Sequence, residues 1–304
     1  MRYLFALLGL MLGSACVQSE DVPSSVKDLR VLGIRVDPPE LYSSSCSRDP
    51  AVLAATLGRP LRFTALIPDP AGDGRELEYT LVACASQTDR TCEKDRVVLR
   101  RGTTRGGELS LTLFPGPGAA LLPDGTFLAQ RVLEEDPFKG LGGLRLPLVL
   151  EVGGGEERIY ASKLMVYDCA FFPEMKPNVQ PLLPDPLLQG EPWREGEVRE
   201  LTGAGPFRVE VPDLTSLVEP YVVRSFSLEP VNLVESWQLA WHTTLGTFSP
   251  NETGGADPGG GEGRHRVEWR PPRGAGAQEV RFWVVVRDGR GGSSWISRTA
   301  RYTP

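Results

Sequence analysis

The chain has 304 residues with 39 acidic against 33 basic side chains, a formal charge of -6. An acidic chain without a basic stripe lacks the phosphate-neutralising surface that nucleic acid demands, so nucleic acid is excluded as a partner. Its 34 Gly and 27 Pro punctuate short apolar runs, and the chain beyond the leader is long enough for two domains of ordinary size.

The chain begins MRYLFALLGLMLGSAC, in which Arg2 is the only charged residue before Cys16 and every residue from Tyr3 to Leu12 is apolar or Gly. A basic start before a short apolar core is the pattern of a secretory signal, assigned to residues 1–15. The apolar run falls well below the roughly 20 residues of a spanning helix. Gly13, Ser14 and Ala15 are small, and Cys16 comes directly after them. This resembles the bacterial lipobox, with one departure: Gly13 stands where Leu is preferred, and Leu12 lies one place earlier. The resemblance implies that the Cys16 thiol takes a diacylglycerol thioether and that cleavage frees its amine for a further acyl chain. Two or three chains anchor stably where one is marginal. By similarity to enteric lipoproteins, Val17 in place of Asp implies the outer membrane. The alternative is an ordinary leader cut after Ala15, with Cys16 a plain thiol. Residues 16–27 are otherwise polar, carry Pro23 and read as a tether.

A first domain is expected over 28–169. LRVLGIRV alternates, with Leu32, Ile34 and Val36 on one face, until Asp37, Pro38 and Pro39 end it. PLRFTALI puts Leu61, Phe63, Ala65 and Ile67 on one face, and the bend-rich PDPAGDG comes next. LEYTLVACA, Asp95 to Arg100 and Leu109 to Phe114 give further strands, and Thr126 to Glu135 a short helix. LRLPLVLEV and ERIYASKLMVY flank GGGE as a hairpin with Leu144, Leu146, Leu148 and Leu150 inward. Pro147 lacks a donor and points to an edge strand or a bulge. Residues 170–200 carry Pro173, Pro177, Pro181, Pro184, Pro186 and Pro192 and read as a linker.

A second domain is expected over 201–304. Phe207, Val209 and Val211 open it; then Trp237, Leu239 and Trp241 share a face, as do His265, Val267 and Trp269, and as do Val280, Phe282, Val284 and Val286. DGRGG is a turn before a final strand in SSWISRTARY. Short strands between Gly/Pro turns, with almost no helical period, indicate an all-β chain of β-sandwiches.

Four cysteines remain after Cys16, an even number in an exported chain, and two disulfides are the natural reading. Three pairings are possible. The preferred one is Cys84–Cys92, closing a polar loop after a strand, with Cys46–Cys169 tying the start of the first domain to its end. Zinc is the alternative, but no CxxC occurs and the only histidines, His242 and His265, are distant in sequence.

SWQLAWHTTLGTFSP, with RVEWRPPRGAGAQEVRFWVVVRDGRGGSSW after it, resembles the PKD-like and related immunoglobulin-like repeats of bacterial surface proteins. KDLRVLGIRVDPPE, DPFKGLGGLRLPLVLEV and PNVQPLL are similar to exported lipoproteins of myxobacteria. Together these imply a lipoprotein signal peptide and then two tandem immunoglobulin-like β-sandwich domains in the cell envelope. They imply no activity.

No nucleophile elbow, zinc-protease helix or phosphate loop occurs. Glu134, Glu135 and Asp136, and Glu156 with Glu157, are acidic runs of the kind that turns leave solvated. Asp69, Asp73 and Asp288 are isolated candidates for structural calcium; no metal site is assigned and no cofactor is expected beyond the lipid on Cys16. Five of six tryptophans, Trp237, Trp241, Trp269, Trp283 and Trp295, fall in the last domain. Trp283 lies opposite Phe282 and Val284, so it is either exposed or covered by another domain. An exposed Trp283 flanked by Arg281 and His242 would form a surface for sugar or protein. The sequence therefore leads to a non-enzymatic, lipid-anchored binding or scaffolding protein of the envelope, membrane-bound through its lipid and contacting an envelope protein or glycan. The alternative is a secreted polysaccharide hydrolase or an accessory carbohydrate-binding protein.

Overall fold

The computed structural model describes residues 23–44, 46, 49–114, 116–254 and 265–304. The leader, Cys16 and the start of the expected tether lie outside them.

Asp37, Pro38 and Pro39 break the first strand and pass the chain from one sheet to the other. β1 (Gly33–Asp37) pairs antiparallel in a sheet ordered β1-β3-β6, with β3 (Leu61–Ile67) and β6 (Gly107–Leu113). β2 (Glu40–Ser43) joins the opposite sheet, where it runs parallel to the last strand of the domain. That sheet is ordered β2-β8-β7-β4-β5, from β4 (Leu77–Cys84), β5 (Arg96–Thr104), β7 (Leu144–Gly154) and β8 (Glu157–Cys169). Short helices α1 (Pro50–Leu57) and α2 (Leu128–Glu135) fill connections. Alternation sends Phe63, Ala65, Ile67, Leu81, Leu146, Leu148 and Leu150 into one aliphatic core between the sheets.

The second sandwich repeats this scheme. β9 (Leu187–Leu188), β10 (Glu191–Pro192), β12 (Phe207–Val211), β16 (Thr247–Ser249) and β18 (His265–Arg270) form the sheet β10-β9-β12-β18-β16. β11 (Val198–Thr202), β15 (Gln238–Thr243), β17 (Glu252–Gly254), β19 (Gln278–Arg287) and β20 (Ser293–Thr303) form β11-β20-β19-β15-β17. β11 again pairs parallel with the final strand. In each unit a split first strand serves both sheets, which is the arrangement of immunoglobulin-like sandwiches. The chain is thus all-β, two immunoglobulin-like sandwiches in tandem. A separate hairpin, β13 (Pro220–Arg224) with β14 (Pro230–Val234), projects between β12 and β15.

Several expectations need correction. Residues 187–200, read from their prolines as linker, supply β9, β10 and the start of β11, and Trp193 is buried in the second core. Pro186 stands just before β9 and Pro192 ends β10, the edge strand, where a missing donor costs nothing. Pro147 lies in β7, which is central, not at an edge. It is tolerated because the ladder to β4 stops at Leu148. Residues 23–27 are not a free tether: Ser24 and Val26 are fully buried. Helix α1 and the projecting hairpin had no clear period in the sequence.

The disulfides are Cys46–Cys169, joining residues 123 apart in sequence, and Cys84–Cys92, 8 apart. No helix among the described residues is long and apolar enough to cross a membrane.

Candidate functional site

The register of β15 on β19 sets His242 opposite Trp283, and Arg281 lies two residues along the same face. The three residues read from sequence as a surface are therefore brought together, but not as an open one. Trp283 is 6% exposed, packed with Val285, Leu66, Val26, Leu32 and Trp295. Residues 23–32 form a strap that covers it. The Ser24 carbonyl accepts the Thr243 amide at 2.8 Å, and the Val26 amide donates to the Thr243 carbonyl at 2.8 Å. Ser24 Oγ accepts the Phe248 amide at 3.1 Å. The physical reason is area. Each large apolar side chain gains about 1.5–3 kcal/mol on burial, so a sheet face bearing Trp283, Val285 and Trp295 does not stay wet when a chain segment is at hand. His242 Nδ1 lies 3.3 Å from the Pro23 carbonyl, and burial lowers its pKa to about 4. Arg281 stays on the surface, 3.8 Å from Glu279. His265 is buried against Thr253, with Nδ1 3.1 Å from Oγ1.

Two of the three acids considered for calcium, Asp69 and Asp288, are engaged elsewhere. Asp69 pairs with Arg75 at 2.7 Å. Asp288 organises the DGRGG turn, accepting the amides of Arg290, Gly291 and Gly292 at 2.7–3.0 Å. A Cβ on Gly292 would stand 2.0 Å from Asp288 Oδ2, so glycine is required there. Asp288 Oδ2 also accepts the Asn178 side-chain amide at 2.8 Å, while the Asn178 backbone amide donates to Glu40 Oε2 at 2.8 Å. A buried polar chain thus runs from the first sandwich through the linker to the second. Gln180 extends it, accepting the Ser293 amide at 3.0 Å and donating to the Val36 carbonyl.

Beside this seam the outer face of the first sandwich meets the hairpin. Period-two alternation decides who points there: Leu41, Leu144 and Tyr167 face inward, so Glu40, Tyr42, Arg145, Val166 and Asp168 face out. Together with Met175, Tyr221, Val223 and the 289–291 turn they line a cavity of about 290 Å³ that opens to the surface. A second of about 310 Å³ adjoins it toward Phe138, Leu141, Arg224 and Phe226. Arg145, Asp168, Gly142, Met175 and Val223 line both. Arg290 stacks over Tyr221 at 4.3 Å and lies 3.8 Å from Glu40 and 3.5 Å from Glu235. Arg224 lies over Phe171 at 4.8 Å. Burial raises the Glu40 carboxyl from 4.5 to about 6, and raises Asp168, Tyr42 and Glu235. Clefts between domains that carry perturbed acids are where small ligands bind. Sequence reading missed Glu40, Arg145, Asp168, Asn178 and Arg290 here. Only the alternation of β2, β7 and β8 put three of them on an outer face.

No protein-family model and no curated protein matches the chain. Solved structures similar to it include Escherichia coli alpha-2-macroglobulin activated by porcine elastase, at 9% identity and TM-score 0.27, over 92% of this chain and 22% of that one. A chimeric titin Z1Z2–Z1Z2 tandem is 10% identical with TM-score 0.23, over 90% of this chain and 98% of that one. Red sea bream transglutaminase is 9% identical with TM-score 0.23, over 90% and 31%. Likeness at this level carries no inference about activity.

Proposed function

We propose that this chain is a lipid-anchored protein of the bacterial envelope, held in the outer membrane by acyl chains on Cys16, that acts as a non-catalytic binding or scaffolding unit. The observation that carries the reading is the seam. The strap, the Trp283 cluster and the Glu40–Asn178–Asp288 chain join both sandwiches into one surface with an open cleft. A pair of domains welded in this way presents a surface of fixed shape. The two disulfides fit an oxidising, exported setting. The strap bears on the anchor as well: Pro23 stands at the second sandwich, beside His242. The seven residue steps from Cys16 to Pro23 span at most about 25 Å, so the anchor keeps the Pro23 end of the strap within that distance of the bilayer.

The test is metabolic labelling with an alkyne fatty acid, then fractionation, for wild type and Cys16→Ala. The expected result is label and membrane recovery in the wild type, both lost in the variant. A wild type that is unlabelled and soluble would defeat the anchor. Release of reducing ends from envelope polysaccharide by the purified protein would defeat the non-catalytic reading in favour of a hydrolase.

A further inference from the structure

The cleft is lined by more cationic than anionic side chains, and its cations are unequally occupied. Glu40 is held by Asn178 and lies near Arg290. Arg290 is engaged by Glu235 and Tyr221 as well. Arg145 makes no hydrogen bond or salt bridge among the described residues, although it lines both cavities and acts electrostatically on Asp168. Arg224 lies over Phe171 and acts electrostatically on Asp168, but its buried Nε has no hydrogen-bond partner among the described residues, and its one hydrogen bond, to the Gly140 carbonyl, is long at 3.5 Å. Lys176 stands exposed on the rim. Against these, Asp168 is the one carboxylate not already held from across the seam; its hydrogen bond is to the neighbouring Cys169 amide, at 2.8 Å. A buried guanidinium nitrogen without a partner is costly, and a planar fork is shaped to take two oxygens of one acid group.

The other wall of the same space is apolar. Phe138 and Phe226 have ring centroids 5.8 Å apart and are 55% and 79% exposed, and Leu141 lies beside them. Exposed rings on two separate loops, meeting over a cavity, supply a stacking surface within reach of the guanidinium groups. Volumes of about 290 and 310 Å³ suit a ligand of ring size with one acid group.

We propose that this cleft binds a small organic anion, its carboxylate or phosphate taken by Arg145 with Arg224 and its apolar ring or chain laid against Phe138, Leu141 and Phe226. This rests on the reading of the protein as a binding unit, and names the chemistry of what it binds.

The experiment is calorimetric titration of the detergent-solubilised full chain with phenyl phosphate, benzoate, inorganic phosphate and benzyl alcohol. One aromatic anion should bind saturably at one per chain, and the preference between the two identifies the acid group. Inorganic phosphate and benzyl alcohol should each bind at least about tenfold more weakly, since each satisfies one wall only. Arg145→Gln should weaken the anion by about tenfold or more, and Arg301→Gln, exposed on β20 beside Glu200 and outside the lining of the cleft, should not change it. Arg224→Gln gives a second reading on the projecting hairpin, outside both sandwich cores, where folding is not at stake. No saturable binding of either aromatic anion would overturn the proposal. So would equal binding of benzyl alcohol, or unchanged affinity in both arginine variants of the cleft. These results are separable from the anchor: a titration that fails while Cys16 labelling succeeds removes the ligand alone. Phenol released from phenyl phosphate would remove the non-catalytic reading and leave the anion site standing.

Discussion

The two sandwiches share one strand scheme and hold it by different means. The first packs Leu, Val, Ile and Ala around Phe63, and two disulfides staple its ends and one of its loops. The second contains no cysteine among its residues; its centre is a ring cluster in which Phe282 meets Trp269 at 5.2 Å, Trp193 at 5.4 Å and Phe248 at 5.7 Å. Topology alone therefore does not fix what stabilises a sandwich. An aliphatic core with long connections gains from cross-links that limit the unfolded chain, whereas large rings bury enough area to close a core without them. All six tryptophans lie in the second unit or its edge strands, so indole fluorescence reports on that unit.

The largest break in the comparison should come from Trp269→Ala. The ring is fully buried at the cluster's centre, touching Phe207, Phe282 and Tyr302. A loss of about 3–5 kcal/mol is expected. In urea it should appear as an early fluorescence transition, while far-UV circular dichroism keeps the first sandwich. A single late transition by both probes would show that the seam, not the ring cluster, sets the second unit's stability.

The mirror experiment is Cys46→Ala with Cys169→Ala. Opening a loop between residues 123 apart should cost about 2–4 kcal/mol. The change should register in circular dichroism, with fluorescence shifting only as far as the seam couples the units. Loss of fluorescence first would reverse the assignment.

Acid should act on the two units in opposite directions. Glu40 in the first titrates near 6 when folded against 4.5 unfolded. It binds its proton more tightly in the folded state, so its charged form costs stability above pH 6, and that cost fades as pH falls from 6 to 4.5. Glu40→Gln should therefore gain on the order of 2 kcal/mol at pH 7 and nothing at pH 4. Gln keeps an acceptor for the Asn178 amide. His242 in the second titrates near 4 when folded against 6.5 unfolded. Its contribution is present above pH 6.5 and is lost as pH falls to 4. His242→Gln should flatten that loss. Melting temperatures from pH 4 to 7.5 check both, and parallel curves for all three proteins would refute the buried settings of these groups.

The smallest effect belongs to Arg281→Gln. Its partner Glu279 is 3.8 Å away with both side chains well exposed, so stability should not change measurably. A drop would mean that this surface carries more of the strap's hold than its contacts suggest.

Much of this was legible in the residues. Alternation placed Trp237, Trp241, Trp269, Val280, Phe282, Leu144, Leu146, Leu148 and Leu150 on their inward faces, and these positions lie in the two cores. The turns at GGGE and DGRGG connect the strands expected around them. The stretch 187–200 was misread because its strands are two to five residues long and broken by proline, too short to show a period. The strap was misread because Ser24, Ser25 and Val26 are too few to look like a strand, and their hydrogen bonds go to Thr243 and Phe248, far along the chain.

What the sequence determined by itself is the all-β class, the inward face of most strands and an even set of cysteines for two bridges. Each is set by local spacing or by counting. What only the tertiary structure decided is what lies over the outward faces. Trp283 could be read as an outward ring, but not that Val26 and Leu32 lie across it. Arg145 and Asp168 could be read as outward, but not that a hairpin 50 residues or more further on closes a cleft over them. Glu40, Asn178 and Asp288 meet across separations of 138 and 110 residues. Period two tells which side of a sheet a residue takes; which distant segment covers that side depends on where unpaired apolar area and unpaired polar atoms meet after the sheets have formed.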